Sequence, residues 1–283
     1  MSEKFLRGFT NLIVLSVLLL AMNIAPSGAV AQEKPSQRFI VIAKSEGDHA
    51  ALKADVQRLG AKVVIDQPTL QMMAVTGPES LRVAISGNPR TQSVVKDKIV
   101  QIIPPGSEAD FGYNELPQMK RMTVGMQGNS GYFSDPANYL KGLLWNYDRI
   151  QASKAWEITR GSHAVRVGVA DTGLDYTHSE LASKVDQVVD LTQTEDPPLC
   201  KTNYGYSDSD YAGMFGGPAD TDWNGHGTWI GGNIAAVLDK RGMNGIAPNV
   251  GLVALKIAQW CGSAYSSTIL NAFVYVQIMV STS

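Results

Sequence analysis

Two short stretches carry residues whose types and spacing could do chemistry. In "VRVGVADTGLDYTHSEL" Asp171 follows an apolar run and precedes Thr172-Gly173, which turn the chain. In "DWNGHGTWIGGNIAA" His226 sits between Gly225 and Gly227, at the head of a run of small residues. A carboxylate that accepts a hydrogen bond from one imidazole nitrogen fixes the tautomer and stabilises the imidazolium that forms when the other nitrogen takes a proton. A neutral imidazole held this way is a general base near neutral pH. Taken singly, an Asp-Thr-Gly is most often a turn aspartate and a lone histidine most often structural. The pair raises the question of which nucleophile His226 would serve.

The elements around these residues must bring them together. "AVRVGVA" (164–170) reads as a strand buried on both faces of a parallel sheet. Asp171 would then stand at its carboxyl end, where open α/β sheets place their sites. "HGTWIGGNIAAVL" reads as a helix whose Gly and Ala at 231, 232, 235 and 236 let it press on the sheet. "VGLVALKI" (250–257) is a second buried strand, "KVDQVVDL" another strand, and "SSTILNAFVYVQIM" is helical by its apolar spacing. "QASKAWEITRG" is a short helix with Gly161 as C-cap. Residues 192–221 read as a polar, acidic loop. Strands alternating with helices predict an α/β class with a parallel sheet.

Upstream, "RFIVIAK", "AKVVID", "LQMMAVTG" and "DKIVQIIP" read as strands. "DHAALKADVQRLG" and "PESLRVAISG" read as the helices between them. The order β-α-β-β-α-β predicts a ferredoxin-like unit over 38–104. The segment 105–144, rich in Gly, Pro, Asn and Ser, reads as a linker open to proteolysis. The domain of the Asp and His motifs would occupy 145–283. His49 and His163 are expected at the surface.

The chain has 283 residues, is 44% hydrophobic and 18% charged, and carries a formal net charge of −2. That composition is globular, and the near-zero charge gives no reason to expect nucleic acid as a partner. Residues 1–31 hold a basic start (Lys4, Arg7), an apolar run and an Ala29-Val30-Ala31 ending. This is the pattern of an export signal cleaved after Ala31. The run is shorter than the roughly 20 residues a span needs, which disfavours a membrane anchor. With the signal removed no membrane span is expected, and the mature chain is expected to be secreted. Export places Cys200 and Cys261 in an oxidising compartment, where the expectation is one disulfide and the alternative two buried thiols.

Together, "VGVADTGLDYTHSEL", "NGHGTWIGGNIAA" and "GIAPNVGLVALKI" resemble the subtilisin-like serine proteases, the subtilases, in order and spacing. "IQASKAWEITRGSHAVRVGVADTG" resembles the family's lead-in to its first strand. The unit over 38–104 looks like the subtilase propeptide, which implies an intramolecular chaperone and inhibitor. The resemblance implies a serine endopeptidase acting on proteins or peptides, with Asp171 as orienting acid, His226 as general base and no required cofactor. Trp229 and Gly231 depart mildly from the commonest family pattern. "CGSAYSS" resembles the family's substrate-backbone strand, which would put Tyr265 at an outer substrate pocket or leave it a packed surface tyrosine. Glu180 and Asp239 fall near positions where many subtilases hold structural Ca²⁺, although two carboxylates do not make a six-to-eight-oxygen site. His178 follows the Asp motif as in the family and is expected to be structural.

In the family the resemblance implies, the nucleophile lies far downstream in a G-T-S-M-A stretch and the oxyanion asparagine also lies downstream; the sequence contains neither stretch. The chain by itself is therefore expected to be inactive and its subtilisin-like sheet incomplete. A non-catalytic inhibitor or chaperone acting through 38–104 is the competing reading. From Val276 the chain reads "VQIMVSTS" where the family continues with something like A-D-N-G-I-D-V-V. One permitted codon choice for those residues, read one base out of register, gives Ala-Asp-Asn-Gly-Ile-Asp-Val. The expectation is a frameshift, or an equivalent sequencing error, just before Val276.

Overall fold

The computed structural model describes residues 36–103, 145–238 and 243–281. The expected export signal, the linker and Asp239 lie outside them. Among the described residues no helix is long and apolar enough to cross a membrane.

The N-terminal part is a four-stranded antiparallel sheet of β1 (Gln37–Ala43), β2 (Lys62–Gln67), β3 (Met72–Gly77) and β4 (Thr91–Lys96), in the order β2-β3-β1-β4. Helices α1 (Glu46–Arg58) and α2 (Glu79–Ser86) connect β1 to β2 and β3 to β4. This is the ferredoxin-like arrangement. Alternation along β1 sends Phe39 and Val41 to one face, where they pack with Leu52 and Val56 of α1 and with Leu81 and Ile85 of α2. Ile40, with Met72, Ala74 and Ile65, fills the opposite face. Ser45 caps α1, its hydroxyl oxygen accepting from Asp48 N–H. His49 is not at the surface: it is 3% exposed, its Nε2 2.7 Å from an Asp66 carboxylate oxygen.

The fourth strand differs from its sequence assignment. "TQSVVK" pairs with β1, whereas the more apolar "DKIVQIIP" leaves the sheet. Its residues Ile99–Gln101 form β5 and pair antiparallel with β9 (Ser263–Tyr265) in the second part of the molecule. The apolar run was misleading because Ile99 and Val100 are 51% and 38% exposed and supply an edge, not a core.

The second part is built on three parallel strands, β6 (Arg166–Asp171), β7 (Val185–Asp190) and β8 (Gly251–Lys256), in the order β6-β8-β7. Only β8 is buried along its whole length; β6 exposes Gly168 and Ala170 at an edge of the described sheet, contrary to the expectation of burial on both faces. Two short helices, α3 (Trp145–Arg149) and α4 (Ala152–Ile158), precede the sheet, and Thr159, not Gly161, is the C-cap of α4. Gly161 lies further on, at φ +87°, where a Cβ would come 2.8 Å from Val250. The segment read as a loop over 192–221 holds two helices, α5 (Leu199–Tyr204) and α6 (Asp208–Phe215). Helix α7 (His226–Ala235) covers one face of the parallel sheet, with Leu174, Leu181, Leu252 and Ala254 beneath it. Helix α8 (Ser266–Ser281) covers the other face through Ile269, Ala272 and Tyr275.

Candidate active site

Asp171 ends β6 and pairs in register with Lys256 at the end of β8. Both lie at the carboxyl edge of the parallel sheet, where turning loops leave a crevice. His226 is the first residue of α7. Its Nδ1 is 2.8 and 2.9 Å from the two Asp171 carboxylate oxygens. An ionised carboxylate can only accept, so the proton of the neutral imidazole resides on Nδ1 and the lone pair is left on Nε2. Asp171 is 8% exposed, and its Oδ1 also accepts from Thr172 N–H at 2.7 Å. The imidazole side chain is 20% exposed.

Glycine makes this approach possible. A Cβ on residue 227 would sit 2.0 Å from the Gly173 carbonyl oxygen and 3.1 Å from the Asp171 Cβ. A Cβ on residue 231 would sit 2.7 Å from Leu174. Gly225 takes a left-handed conformation, φ +99°, to start the helix.

Asp222 was not singled out in the sequence, yet it organises the loop before His226. Its Oδ1 accepts from Thr172 Oγ1 (2.8 Å), Gly225 N–H (2.9 Å) and Asn224 N–H (3.0 Å). Its Oδ2 accepts from Thr228 N–H (2.8 Å) and Thr228 Oγ1 (2.6 Å). It therefore serves orphan donors at the start of α7 and ties them to the Asp171 turn. Lys256 is the other residue that sequence reading passed over. It is fully buried, ion-paired with Asp208 at 2.7 Å, and donates to the carbonyls of Thr172 (2.5 Å) and Thr221 (2.9 Å). Burial pushes the Asp208 carboxyl up, and the Lys256 charge opposes that shift.

The remaining candidates sit apart from this pair. Tyr265 ends β9, opposite Ile99, with the Arg38 guanidinium 4.4 Å from its ring centroid; burial raises its phenol above the ordinary range. Cys200 of α5 and Cys261 are joined in a disulfide, Cα to Cα 5.6 Å. Glu180 is half-buried, and its carbonyl accepts from Val237 N–H. Among the described residues no three carboxylate, imidazole or thiolate groups converge as an ion site would need. The Trp229 ring is 6.2 Å from the His226 ring and about half exposed. His163 is exposed and pairs with Asp186, and the His178 ring nitrogen accepts from Glu180 N–H.

Residues 162–279 match the family model described as the subtilase family. The chain is 31% identical over 138 residues to the thermophilic serine proteinase of Bacillus sp. (strain AK1), covering 48% of this chain and 29% of that protein. It is 28% identical over 143 residues to thermitase of Thermoactinomyces vulgaris, covering 50% of this chain and 42% of that one. The chain thus spans less than half the length of these curated relatives. Among solved structures, fervidolysin from Fervidobacterium pennivorans, a keratinolytic enzyme related to subtilisin, superposes with a TM-score of 0.53 at 18% identity, over 87% of this chain and 35% of that one. That likeness concerns the fold. Asp171, His226 and the sheet that carries them fall within the matched segment, and residues 162–279 are similar in sequence to the subtilase family of subtilisin-like serine peptidases.

Proposed function

We propose that Asp171 and His226 are the orienting acid and general base of an exported endopeptidase that hydrolyses peptide bonds in proteins or peptides. The observation that carries this is the two-oxygen contact of the Asp171 carboxylate with His226 Nδ1, which leaves Nε2 as a proton acceptor. His226 Nε2 would take the proton of a serine hydroxyl as that oxygen attacks the scissile carbonyl. It would then return the proton to the leaving amine, while Asp171 stabilises the imidazolium between the two steps. No residue of the sequence given is assigned as that serine, and the 283-residue chain alone is proposed to have no useful turnover.

The test compares this chain alone with a fusion to the C-terminal part of a matched relative, which carries that relative's serine. Casein hydrolysis is expected from the folded fusion and not from the chain alone. His226→Ala or Asp171→Asn should lower the fusion's kcat by about 10⁴-fold. A folded fusion indifferent to both changes, or inactive with both residues intact, overturns the assignment.

A second reading is favoured by the pairing of β5 with β9. We propose that residues 37–103 act as an inhibitor in cis, their tail occupying the edge on which an extended substrate would lie. Separated from 145–281, that part should slow a related protease at micromolar concentration; indifference of the protease would sink this reading.

A further inference from the structure

The tail that follows β4 is itself a peptide laid along β9, and the edge reads its side chains unequally. Ile99 and Val100 are held mainly through backbone pairing and stay exposed. Gln101 is exposed as they are, but its carboxamide is hydrogen-bonded at both ends. Its Nε2 donates to the Cys261 carbonyl at 2.8 Å and to the Ile103 carbonyl at 2.7 Å, and the Ser263 hydroxyl donates to its Oε1 at 2.6 Å. Ser263 is 2% exposed, and the disulfide to α5 anchors Cys261. Ile103 is 2% exposed and lies directly on Gly262, where an added Cβ would come 2.8 Å from the isoleucine Cβ. The backbone between them is fixed by Ile102 N–H donating to the Gly262 carbonyl. From Gln101 to Ile103 the peptide runs toward Trp260, whose carbonyl accepts from Asn224, two residues before His226.

We infer that this edge is a side-chain-reading subsite that selects a glutamine two residues before a branched aliphatic residue, with Ser263, the Cys261 carbonyl and Gly262 as its specificity determinants. The inference rests on the proposed reading of the cleft as a peptidase site and names the class of peptide it takes. One donor and one acceptor face the tail, and a carboxamide answers both. A glutamate would turn a carboxylate oxygen toward the Cys261 carbonyl with no proton to share. A lysine could donate to that carbonyl but would offer Ser263 no acceptor. An alanine would lose both hydrogen bonds and leave the Ser263 hydroxyl and the Cys261 carbonyl to water. Gly262 matters by what it lacks: any side chain there would occupy the space of the aliphatic residue.

Binding to the full chain tests this directly. Ile102→Pro removes the tail's own N–H donor to Gly262 and frees the edge. Labelled Lys-Ile-Val-Gln-Ile-Ile, the sequence of residues 98–103, is then titrated by fluorescence anisotropy beside the same peptide with Glu or Ala in place of Gln. The Gln peptide should bind about ten-fold tighter than either, and Ser263→Ala should shrink that ratio to below about three-fold. Equal affinities would overturn the inference and leave the peptidase reading standing. No binding of any peptide, in a variant with wild-type circular dichroism, would overturn both. Should Ile102→Pro misfold, hydrogen exchange on Gln101→Glu in the otherwise native chain decides. Amides of 99–103 should exchange about ten-fold faster with 39–43 unchanged; no change in 99–103 would refute the assignment.

Discussion

The contact between Asp171 and His226 is held less by the two residues than by what surrounds them. Asp222 gathers donors from the Asp171 turn and from the first turn of α7. Asp222→Ala should release them together. Loss of a capping side chain costs about 1 kcal/mol, and the further unpaired donors should bring the total to about 2 kcal/mol by denaturant titration. A change below 0.5 kcal/mol, on the order of a neutral surface substitution, would contradict the role given to it. Gly227→Ala tests the approach itself. Its Cβ would collide with the Gly173 carbonyl, so α7 must move away from the Asp171 turn, and the His226 Nδ1 proton should lose its strongly hydrogen-bonded NMR signature. An unchanged downfield proton would show that the helix has room to spare. The Asp and His were legible in the sequence because glycines and an apolar strand set them apart. Asp222 was not, since it is one of several aspartates in an acidic stretch and its link to the Asp171 turn, through Thr172, is made only by folding. Lys256 was hidden inside an apolar strand, where its charge is tolerable only through Asp208 and two carbonyls.

The segment between β7 and α7 shows why an element can be missed. Its helices are too short for an apolar period, and local side chains hold them. Ser207 and Asp210 form a reciprocal capping box on α6. Tyr211 stacks on Phe215 and Trp223 and meets Trp260 edge-on at 5.2 Å. Beneath lies Glu195, 5% exposed, with Oε2 accepting from Leu199 N–H (3.0 Å) and Gln259 Nε2 (2.7 Å). Burial raises its carboxyl to about 7; these two hydrogen bonds and the Arg38 charge pull it down, and Asp208 pushes it up. The folded chain thus keeps this proton to higher pH than the unfolded one. Stability contributed by the protonated group is full below the ordinary carboxylate range and is lost as pH rises toward 7. Glu195→Gln keeps an acceptor without the charge. It should stabilise the protein by about 3 kcal/mol at pH 8 and by almost nothing at pH 4. Urea titrations at the two pH values check the sign, and an equal effect at both would mean the carboxyl is not the cause.

Across the whole molecule, the parallel sheet and the antiparallel sheet were each visible in the sequence as patterns of strands and helices. Their connection was not, because a run such as Ile-Val-Gln-Ile-Ile reads the same whether it fills a core or augments a distant edge. The polar contacts that join the two parts were equally invisible. Arg38 of β1 is 6% exposed, and its Nε donates to Asp97 at 2.8 Å. Its two terminal nitrogens reach across to the Thr194 carbonyl (2.7 Å) and the Ser267 hydroxyl (2.9 Å). Asp97 in turn accepts from Ser267 N–H (3.0 Å), at the start of α8, and from the Ser267 hydroxyl. The N-terminal part therefore presents a carboxylate to the positive end of a 16-residue helix, with the guanidinium balancing the charge. Arg38→Ala leaves Asp97 buried without its counter-charge, held only by Ser267 at the helix start, which costs about 3–5 kcal/mol. Arg38→Met with Asp97→Leu removes both charges and fills the space, so it should be less damaging than Arg38→Ala alone, as for other buried pairs replaced by apolar groups. Thermal unfolding of the two variants decides the point. If the double variant melts at or below Arg38→Ala, the ion pair is holding the two parts together by its own attraction, and the unpaired carboxylate is not the main loss.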